Sequence, residues 1–366
     1  MFNNIYHDKK VLITGHTGFK GSWLTVWLLK LGSKVVGISK DVPTNPSMFE
    51  VLQIKEKITH YQMDIRDLDK LSEVILVEKP DFIFHLAAQS IVSISYTNPI
   101  ETISSNVMGT ANILEALKVL NHSCVVIMIT SDKSYDNIEQ IWGYKENDQM
   151  GGKDVYSGSK GAAELIIKSY FNSFFKKSDC IIKLGIGRAG NVIGGGDWAK
   201  DRIVVDCMEA WSKNKSVEIR SPESTRPWQH VLEPLSGYLN LGMELYRHKV
   251  LQGEAFNFGP RAEQNHTVKR LLEDLSRYWS FDKIEDAFKV TDNMPFHEAS
   301  LLKLNCDKAF SVLKWHASLD YEDTIEFTSQ WYFDYYKSNK NTFDLTITQI
   351  EKYENIAKKI GLQWTE

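Results

Sequence analysis

Short apolar runs alternate with longer segments of helical spacing through the first half of the chain. The runs VLITG, KVVGIS, DFIFHLA, CVVIMIT and CIIKLGIGR are rich in β-branched residues, which favours strands. Between them, apolar residues recur at intervals of three and four, which predicts helices at about 21–30, 68–78, 103–120 and 155–175. This alternation predicts βαβ units and an α/β fold with a doubly wound parallel sheet.

After residue 188 the pattern changes, because strands become scarce and the stretches NVIGGGDW and RSPESTRPWQHV are rich in glycine, proline and arginine. We therefore predict one domain over 1–190 and a smaller C-terminal lobe over 191–335. A helical segment at 231–246 and the run EAFNFG predict that the chain returns to the first domain near 231–260. Residues 336–366 are predicted to form a helical tail.

Charge and cysteine content narrow the possible functions. The formal net charge of -4 gives no general attraction to nucleic acid or to an anionic membrane, although a local basic pocket for phosphate remains possible. The four cysteines are widely spaced without a CxxC pair, so we predict no metal site and no redox dithiol. The N-terminal segment has the pattern of neither a signal peptide nor a membrane span, and we expect a cytoplasmic protein.

A glycine-rich turn, GHTGFKG, joins the strand VLIT to the helical segment SWLTVWLLK. In this context glycines let the backbone approach a pyrophosphate, which the N-terminus of the helix attracts. The turn predicts a Rossmann-type dinucleotide site, and a turn without a ligand is the alternative. The predicted contacts are Gly15, Thr17, Gly18, Phe19, Lys20 and Gly21.

Polar residues that follow later strands are candidates for the rest of this site. Asp41, about twenty residues beyond the glycines, is a candidate for the adenosine ribose, which favours NAD; Lys40 would instead favour a 2′-phosphate. Asp64 and Ile65 are candidates for the adenine ring, with a solvated turn aspartate as the alternative. For the nicotinamide ribose, the candidates are Leu86, Ala87, Ala88, Gln89 and Asn106, the last of which starts the turn NVMGT.

Two motifs carry acid–base chemistry. Tyr156 and Lys160 stand at i and i+4 and so share one face of a helix, where the ammonium can lower the pKa of the phenol from about 10. A tyrosinate formed in this way could take a proton from a hydroxyl group. Ser131, Asp132 and Lys133 follow the strand CVVIMI, at the edge where open α/β sheets place their ligands. Exposed loop charges are the alternative for this second motif.

With these motifs assembled, the chain resembles the CDP-glucose 4,6-dehydratases, extended short-chain dehydrogenases/reductases, over essentially its whole length. The matching stretches are GHTGFKGSWL, HLAAQ, NVMGT, TSDKSY, WGYKENDQMGG, YSGSK, RAGNVIGGGDWAKDR and RPWQHVLEPLSGYL. Ser134 and Gly158 depart from the family's usual cysteine and asparagine, but neither is a reacting group. The resemblance implies bound NAD in the first domain and a nucleotide sugar in the second lobe.

The resemblance also implies roles for individual residues. Tyr156 would remove the O4 proton of the sugar, assisted by Ser131 and Lys160, while the C4 hydride passes to NAD. Asp132 would protonate the departing O6, and Lys133 would remove the C5 proton. A lysine accepts a proton only when neutral, which desolvation or a nearby charge such as that of Lys160 favours. The implied substrate contacts are Gln89, Ser131, Asn191, Arg202, Arg226 and His230.

Three alternatives remain open at this point. A dehydratase for a UDP-, GDP- or dTDP-linked sugar would use the same reacting residues. A 4-epimerase would use the tyrosine and lysine but has no need of an acid–base pair at 132 and 133. A non-catalytic dinucleotide-sensing module would not need the intact Tyr156 and Lys160. The resemblance further implies a homodimer, or a dimer of dimers, joined through helices at 103–120 and 156–175.

Overall fold

A parallel sheet of seven strands forms the centre of the protein. The computed structural model describes residues 1–366 apart from 178, 220, 262, 280, 282, 292–301 and 339. Within this part of the chain the sheet has the order β3–β2–β1–β4–β5–β6–β9, and all its neighbouring strands are parallel. The strands are β1 (Lys10–Thr14), β2 (Lys34–Ser39), β3 (Thr59–Gln62), β4 (Phe82–His85), β5 (Cys124–Ser131), β6 (Ile182–Ala189), β7 (Val217–Ile219), β8 (Thr225–Arg226), β9 (Ala255–Phe258), β10 (His266–Thr267) and β11 (Phe288–Val290).

Helices cover both faces of this sheet, and two pairs of short strands, β8 with β10 and β7 with β11, lie outside it. Turns of π-helix at Ser104–Met108 and Phe171–Phe175 follow two of the helices. The helices are α1 (Phe19–Lys30), α2 (Met48–Val51), α3 (Leu68–Glu78), α4 (Val92–Thr97), α5 (Pro99–Ile103), α6 (Gly109–Leu117), α7 (Val155–Tyr170), α8 (Ile203–Ser212), α9 (Leu232–Arg247), α10 (Val268–Ser276), α11 (Asp307–Leu313), α12 (Tyr321–Lys337) and α13 (Thr342–Lys359).

Two hydrophobic cores form because successive side chains of a strand point to opposite faces. In β1, Val11 and Ile13 belong to one core and Leu12 to the other. The first core packs α1, α9, α12 and α13 against the sheet and contains the fully buried Trp27 and Trp331. The second packs α3, α6 and α7 against the opposite face. The result is the three-layer α/β arrangement that the alternating sequence pattern predicts.

Most of the predicted elements are present, with one interruption. The predicted helix at 68–78 is α3, and the run EAFNFG forms β9, which pairs with β6. The helix predicted over 103–120 is instead divided, because the π-turn Ser104–Met108 separates α5 from α6. Asn106 therefore lies inside this π-turn, and not at the start of a helix. The boundaries proposed for the domains at 190 and 335 stay predictions.

No helix in the described part of the chain is long and apolar enough to cross a lipid bilayer.

Candidate active site

The turn between β1 and α1 packs so tightly that glycine is required at two positions. Gly15 has a φ of 78°, and a Cβ atom there would lie 2.8 Å from the backbone nitrogen of Ala87. A Cβ atom on Gly21 would lie 2.1 Å from the carbonyl oxygen of Gly15. Both glycines thus hold the first turn of α1 against the carboxyl end of the sheet, where ligands bind in this type of fold.

The N-terminus of α1 offers an anion site. Its N-cap residue, Gly18, has no side chain to bind the free backbone N–H groups, and the first turn contains no acidic residue. Lys20 in this turn lies close enough to the reacting residues for the charges of Arg202, Asp132 and Lys160 to change its pKa. Burial, together with the charges of Arg202 and Lys160, lowers the pKa of Lys20 to about 8. A pyrophosphate fits this set of donors.

Of the predicted adenosine residues, Asp41 lines a cavity of about 310 Å³ at the carboxyl ends of β2 and β3, and Asp64 and Ile65 do not. Thr17 and Asp41 both line it, and the Thr17 hydroxyl donates to the carbonyl oxygen of Asp41 at 2.7 Å. The carboxylate of Asp64 is bound by Arg66, whose Nη2 lies 2.6 Å from it. Ile65 beside it is buried against the helix that begins at Gly109.

Gln89 and Asn106, predicted to contact the nicotinamide ribose, are tied to the protein itself. The Asn106 amide accepts from the backbone N–H of Gln89 at 2.8 Å and donates to the Ser159 hydroxyl at 2.9 Å. The side chain of Gln89 bonds both ways with the backbone of Ile91. Asn106 therefore joins the loop that contains Leu86, Ala87 and Ala88 to α7. In this conformation its amide is bonded to Gln89 and Ser159 of the protein.

The strand end after β5 and the first turns of α7 bring the acid–base residues together. Ser131 and Tyr156 are hydrogen-bonded through their hydroxyl groups. The Ser131 hydroxyl also donates to the Asp132 carboxylate at 2.9 Å and accepts from the backbone N–H of Lys133 at 3.2 Å. Tyr156, Lys160 and Asp132 are all buried, with 7%, 8% and 6% of their surface exposed. The two sequence motifs thus form one site.

Burial changes the proton affinities in this site in a direction that the sequence did not predict. Desolvation raises the pKa of Tyr156 to about 12, and the charge of Asp132 raises it further, although Ser131 and Arg202 oppose the shift. Desolvation also lowers the pKa of Lys160 to about 8. The net shift of the Tyr156 pKa is upward because the loss of solvent around the hydroxyl outweighs the favourable nearby groups, and the lowering of this pKa by Lys160 stays a prediction.

Two charged residues beside the site were not singled out in the sequence. Glu164 stands one turn beyond Lys160 on α7 and forms a buried ion pair with Arg188 of β6, at 2.7 Å. The spacing from Lys160 to Glu164 is a signal that could have been noticed, since side chains at i and i+4 are neighbours on a helix. Its partner Arg188 on β6 could not have been identified in this way, because only the pairing of strands in the sheet brings it near.

Four of the predicted substrate residues, Asn191, Arg202, Arg226 and His230, differ in their surroundings. Arg202 is ion-paired with Asp197, and its charge acts on Tyr156, which places it near the reacting residues. Asn191 is exposed just beyond β6, and Arg226 lies in β8. His230 is fully buried, with its ring against Trp23 and Phe327, and burial lowers its pKa to about 3. In this conformation His230 presents no surface to a diphosphate.

A doubly wound parallel sheet, a glycine-rich turn before α1, and a Ser131–Tyr156–Lys160 set in which the tyrosine and lysine are buried define an extended short-chain dehydrogenase/reductase. Within this class, residues 12–328 match the family model described as GDP-mannose 4,6 dehydratase. The chain belongs to this family.

Individual relatives agree with this assignment. The chain is 46% identical over 335 residues to CDP-glucose 4,6-dehydratase of Salmonella typhimurium, which covers 90% of this chain and 92% of that protein. The fold matches an epimerase from Methanothermobacter thermautotrophicus with a TM-score of 0.77 and 21% identity, covering 98% of this chain and 96% of that one. It also matches a dTDP-glucose 4,6-dehydratase from Streptomyces venezuelae, solved with NAD bound, with a TM-score of 0.75, 18% identity and coverage of 88% and 96%.

Proposed function

We propose that the protein is a lyase that converts CDP-glucose to CDP-4-keto-6-deoxyglucose with a bound NAD. The observation that carries the proposal is the position of Asp132 and Lys133 directly beside the Ser131–Tyr156 pair. A site that only oxidises and re-reduces a hydroxyl needs no such acid–base pair. The similarity to a CDP-glucose 4,6-dehydratase supports the same conclusion.

The residues around the predicted adenosine site fit NAD better than NADP. The ammonium of Lys40 lies 3.1 Å from Glu101 and 4.0 Å from Asp64, and Arg66 is paired with the same two carboxylates. Lys40 and Arg66 are thus already ion-paired, while Asp41, with Lys55, lines the cavity beyond β2 and adds negative charge. Lys40 and Arg66 are therefore engaged with Asp64 and Glu101 and are not free to bind a 2′-phosphate. A ribose hydroxyl, in contrast, can bind a carboxylate.

The first half of the reaction oxidises the sugar. NAD held at the turn before α1 would supply the oxidant for C4 and, once reduced, the hydride for C6. Tyr156 accepts the O4 proton, and Ser131, already hydrogen-bonded to it, holds the same oxygen. The pKa of Tyr156, which burial raises to about 12, has to fall in the loaded site, and the positive charges of Lys160 and of a nicotinamide ring favour this.

The second half removes water. The C4 ketone acidifies the C5 hydrogen, so a base in the site can remove it, and we assign this role to Lys133. Asp132, buried and hydrogen-bonded to Ser131, in its protonated form gives a proton to the departing O6, and Lys133 returns its proton to C5 when hydride is added at C6. The two residues are neighbours in a single turn of 3-10 helix, Asp132–Ser134, which supports roles for both on one substrate.

The nucleotide is tested by comparing turnover of CDP-, dTDP-, UDP- and GDP-glucose side by side. We expect the largest kcat/KM for CDP-glucose, and the ultraviolet absorbance that 4-keto-6-deoxy sugars develop in alkali should appear. A larger kcat/KM for UDP- or dTDP-glucose would contradict the nucleotide assignment, and a C4-epimerised product without that absorbance would contradict the dehydratase assignment.

The fate of the hydride tests the internal redox scheme. Substrate that carries deuterium at C4 should give product with deuterium at C6, because one cofactor is reduced and re-oxidised without leaving the site. Loss of the label to free cofactor or to solvent would contradict the scheme.

We further propose that two copies of the chain associate through α5, the π-turn after it, and α7. Large apolar side chains on these elements are unusually exposed, namely Ile100 (75%), Met108 (54%) and Leu165 (56%). Sedimentation equilibrium should give twice or four times the mass of one chain, and Ile100→Lys with Leu165→Lys should give a monomer.

The four cysteines are free, which suits the reducing cytoplasm that we propose as the location.

A further inference from the structure

A buried ion pair lies behind the acid–base residues, and the proposed reaction does not use it directly. The side chains of Glu164 and Arg188 are only 3% and 5% exposed. Arg188 donates from Nε to one oxygen of Glu164 at 2.7 Å and from Nη2 to the other at 3.0 Å, so the contact is bidentate. Burying two charges is costly, and this makes the pair a candidate for a role beyond stability.

The pair links the elements that carry the reacting residues. The Thr130 hydroxyl, next to Ser131 at the end of β5, donates to the carboxylate of Glu164. Arg188 donates from Nη1 to the Tyr135 hydroxyl at 2.7 Å and to the carbonyl oxygen of Glu146 at 3.0 Å. One carboxylate thus joins α7 to β5 and β6.

Glu164 also acts on the charge of Lys160, one helical turn away. Burial favours the neutral form of Lys160, and the negative charge of Glu164 opposes it. The other ionisable groups that feel the charge of Lys160 are Lys20 of α1 and His85 of β4, and burial favours the neutral form of both. Glu164 is therefore the acidic group that favours an ammonium at this position in the described structure.

Tyr156 experiences a different set of charges. The charges that act on it most strongly are Asp132 and Asp154, which oppose its ionisation, and Arg202, which favours it. Glu164 does not belong to this set, so its main electrostatic target is the lysine.

We propose that the Glu164–Arg188 pair is a positioning element of the reaction: it keeps Lys160 charged inside the protein and fixes α7 against the strand end that carries Ser131. The inference rests on the proposed roles of Tyr156 and Lys160. Glu164 touches no substrate in this scheme and acts only through other residues.

The test is the pH profile of kcat/KM, measured with whichever nucleotide-linked glucose the wild-type enzyme turns over best. Glu164→Gln removes a negative charge beside Lys160, since side chains at i and i+4 have Cβ atoms about 6 Å apart. For two charges about 6 Å apart at an effective dielectric constant of about 20, this shifts the pKa of Lys160 by about two units, because Arg188 keeps its charge in the variant. We expect the alkaline limb, which reports loss of the Lys160 ammonium, to move to lower pH by about one to two units and the acidic limb to stay in place.

Two matched variants separate charge from packing. Glu164→Asp keeps the charge, so the limbs of its pH profile should lie at the same pH as in the wild type even if its stability is lower. Thr130→Val removes a hydrogen bond to the same carboxylate without changing any charge, so it should lower the melting temperature and leave the limbs in place.

If Glu164→Gln does not fold because Arg188 is left unpaired, the double variant Glu164→Gln with Arg188→Met removes both charges and serves instead. Its alkaline limb should also move to lower pH, by less than in the single variant, because the loss of the Arg188 charge partly offsets the loss of the Glu164 charge. Limbs at the wild-type pH in whichever of these two variants folds would overturn the inference and make the pair purely structural. A wild-type enzyme that turns over none of the nucleotide-linked glucoses would overturn both this inference and the proposed function.

Discussion

Replacing Lys133 with methionine should separate the two halves of the proposed reaction. Methionine keeps much of the length and apolar stem of lysine but removes the basic nitrogen. In the structure, the turn that contains Lys133 is held by its backbone N–H, which donates to the Ser131 hydroxyl at 3.2 Å, and any residue except proline retains this bond. Because the side chain is only partly buried, we expect the free energy of unfolding to change by less than about 1 kcal/mol.

The catalytic effect should be much larger than this. Oxidation at C4 relies on Tyr156, Ser131 and Lys160, so it should survive. Elimination needs a base at C5, and a positioned acid or base typically contributes a factor of about 10² to 10⁴. Product formation should therefore slow by that factor, which corresponds to a barrier raised by about 3 to 5 kcal/mol.

A single-turnover experiment reports both halves at once. Enzyme-bound NADH, followed by its absorbance, should accumulate with a 4-keto sugar, while the alkali-dependent absorbance of the 4-keto-6-deoxy product should be delayed. Lys145→Met makes the same change at an exposed lysine of a loop and should behave like the wild type. Turnover by Lys133→Met at nearly the wild-type rate would make Lys133 a binding or structural residue, and the base would have to be another group.

Three further outcomes follow from the geometry. Tyr156→Phe should form neither bound NADH nor product in a single turnover, because no group then takes the O4 proton; NADH formation at the wild-type rate would refute this. Since burial lowers the pKa of Lys160 to about 8, its ammonium is lost as the pH rises through that value, so kcat/KM should fall there; a profile that stays level well above this pH would contradict the assignment. Gly21→Ala places a Cβ 2.1 Å from the Gly15 carbonyl oxygen and should raise the Kd for NAD by about tenfold or more, at a cost of about 1 to 3 kcal/mol in stability. Gly158→Ala, whose Cβ would meet no atom within 4 Å, is the control and should retain wild-type affinity.

The elements and the central acid–base pair could be predicted from the sequence because they depend on local spacing. Helical periodicity predicted the bounds of α3 at 68–78, and β-branched runs predicted five of the seven strands of the sheet, β1, β2, β4, β5 and β6. Tyr156 and Lys160 share a helix face wherever that helix lies, so their proximity needs no knowledge of the fold. The glycine-rich turn is local in the same way, since it lies directly between β1 and α1.

The contacts and proton affinities of the site depend instead on segments that are distant in the sequence. Arg188 reaches Glu164 only because β5 and β6 are neighbours in the sheet, and Asn106 reaches Gln89 only because a π-turn directs its amide there. His230 was predicted as a ligand but is enclosed by Trp23 and Phe327, which come from opposite ends of the chain. The pKa of Tyr156 rises because desolvation depends on everything packed around the hydroxyl. The sequence by itself thus determined which residues can do the chemistry, and the tertiary structure decided their solvent exposure and partners, since burial is a property of the whole packed chain.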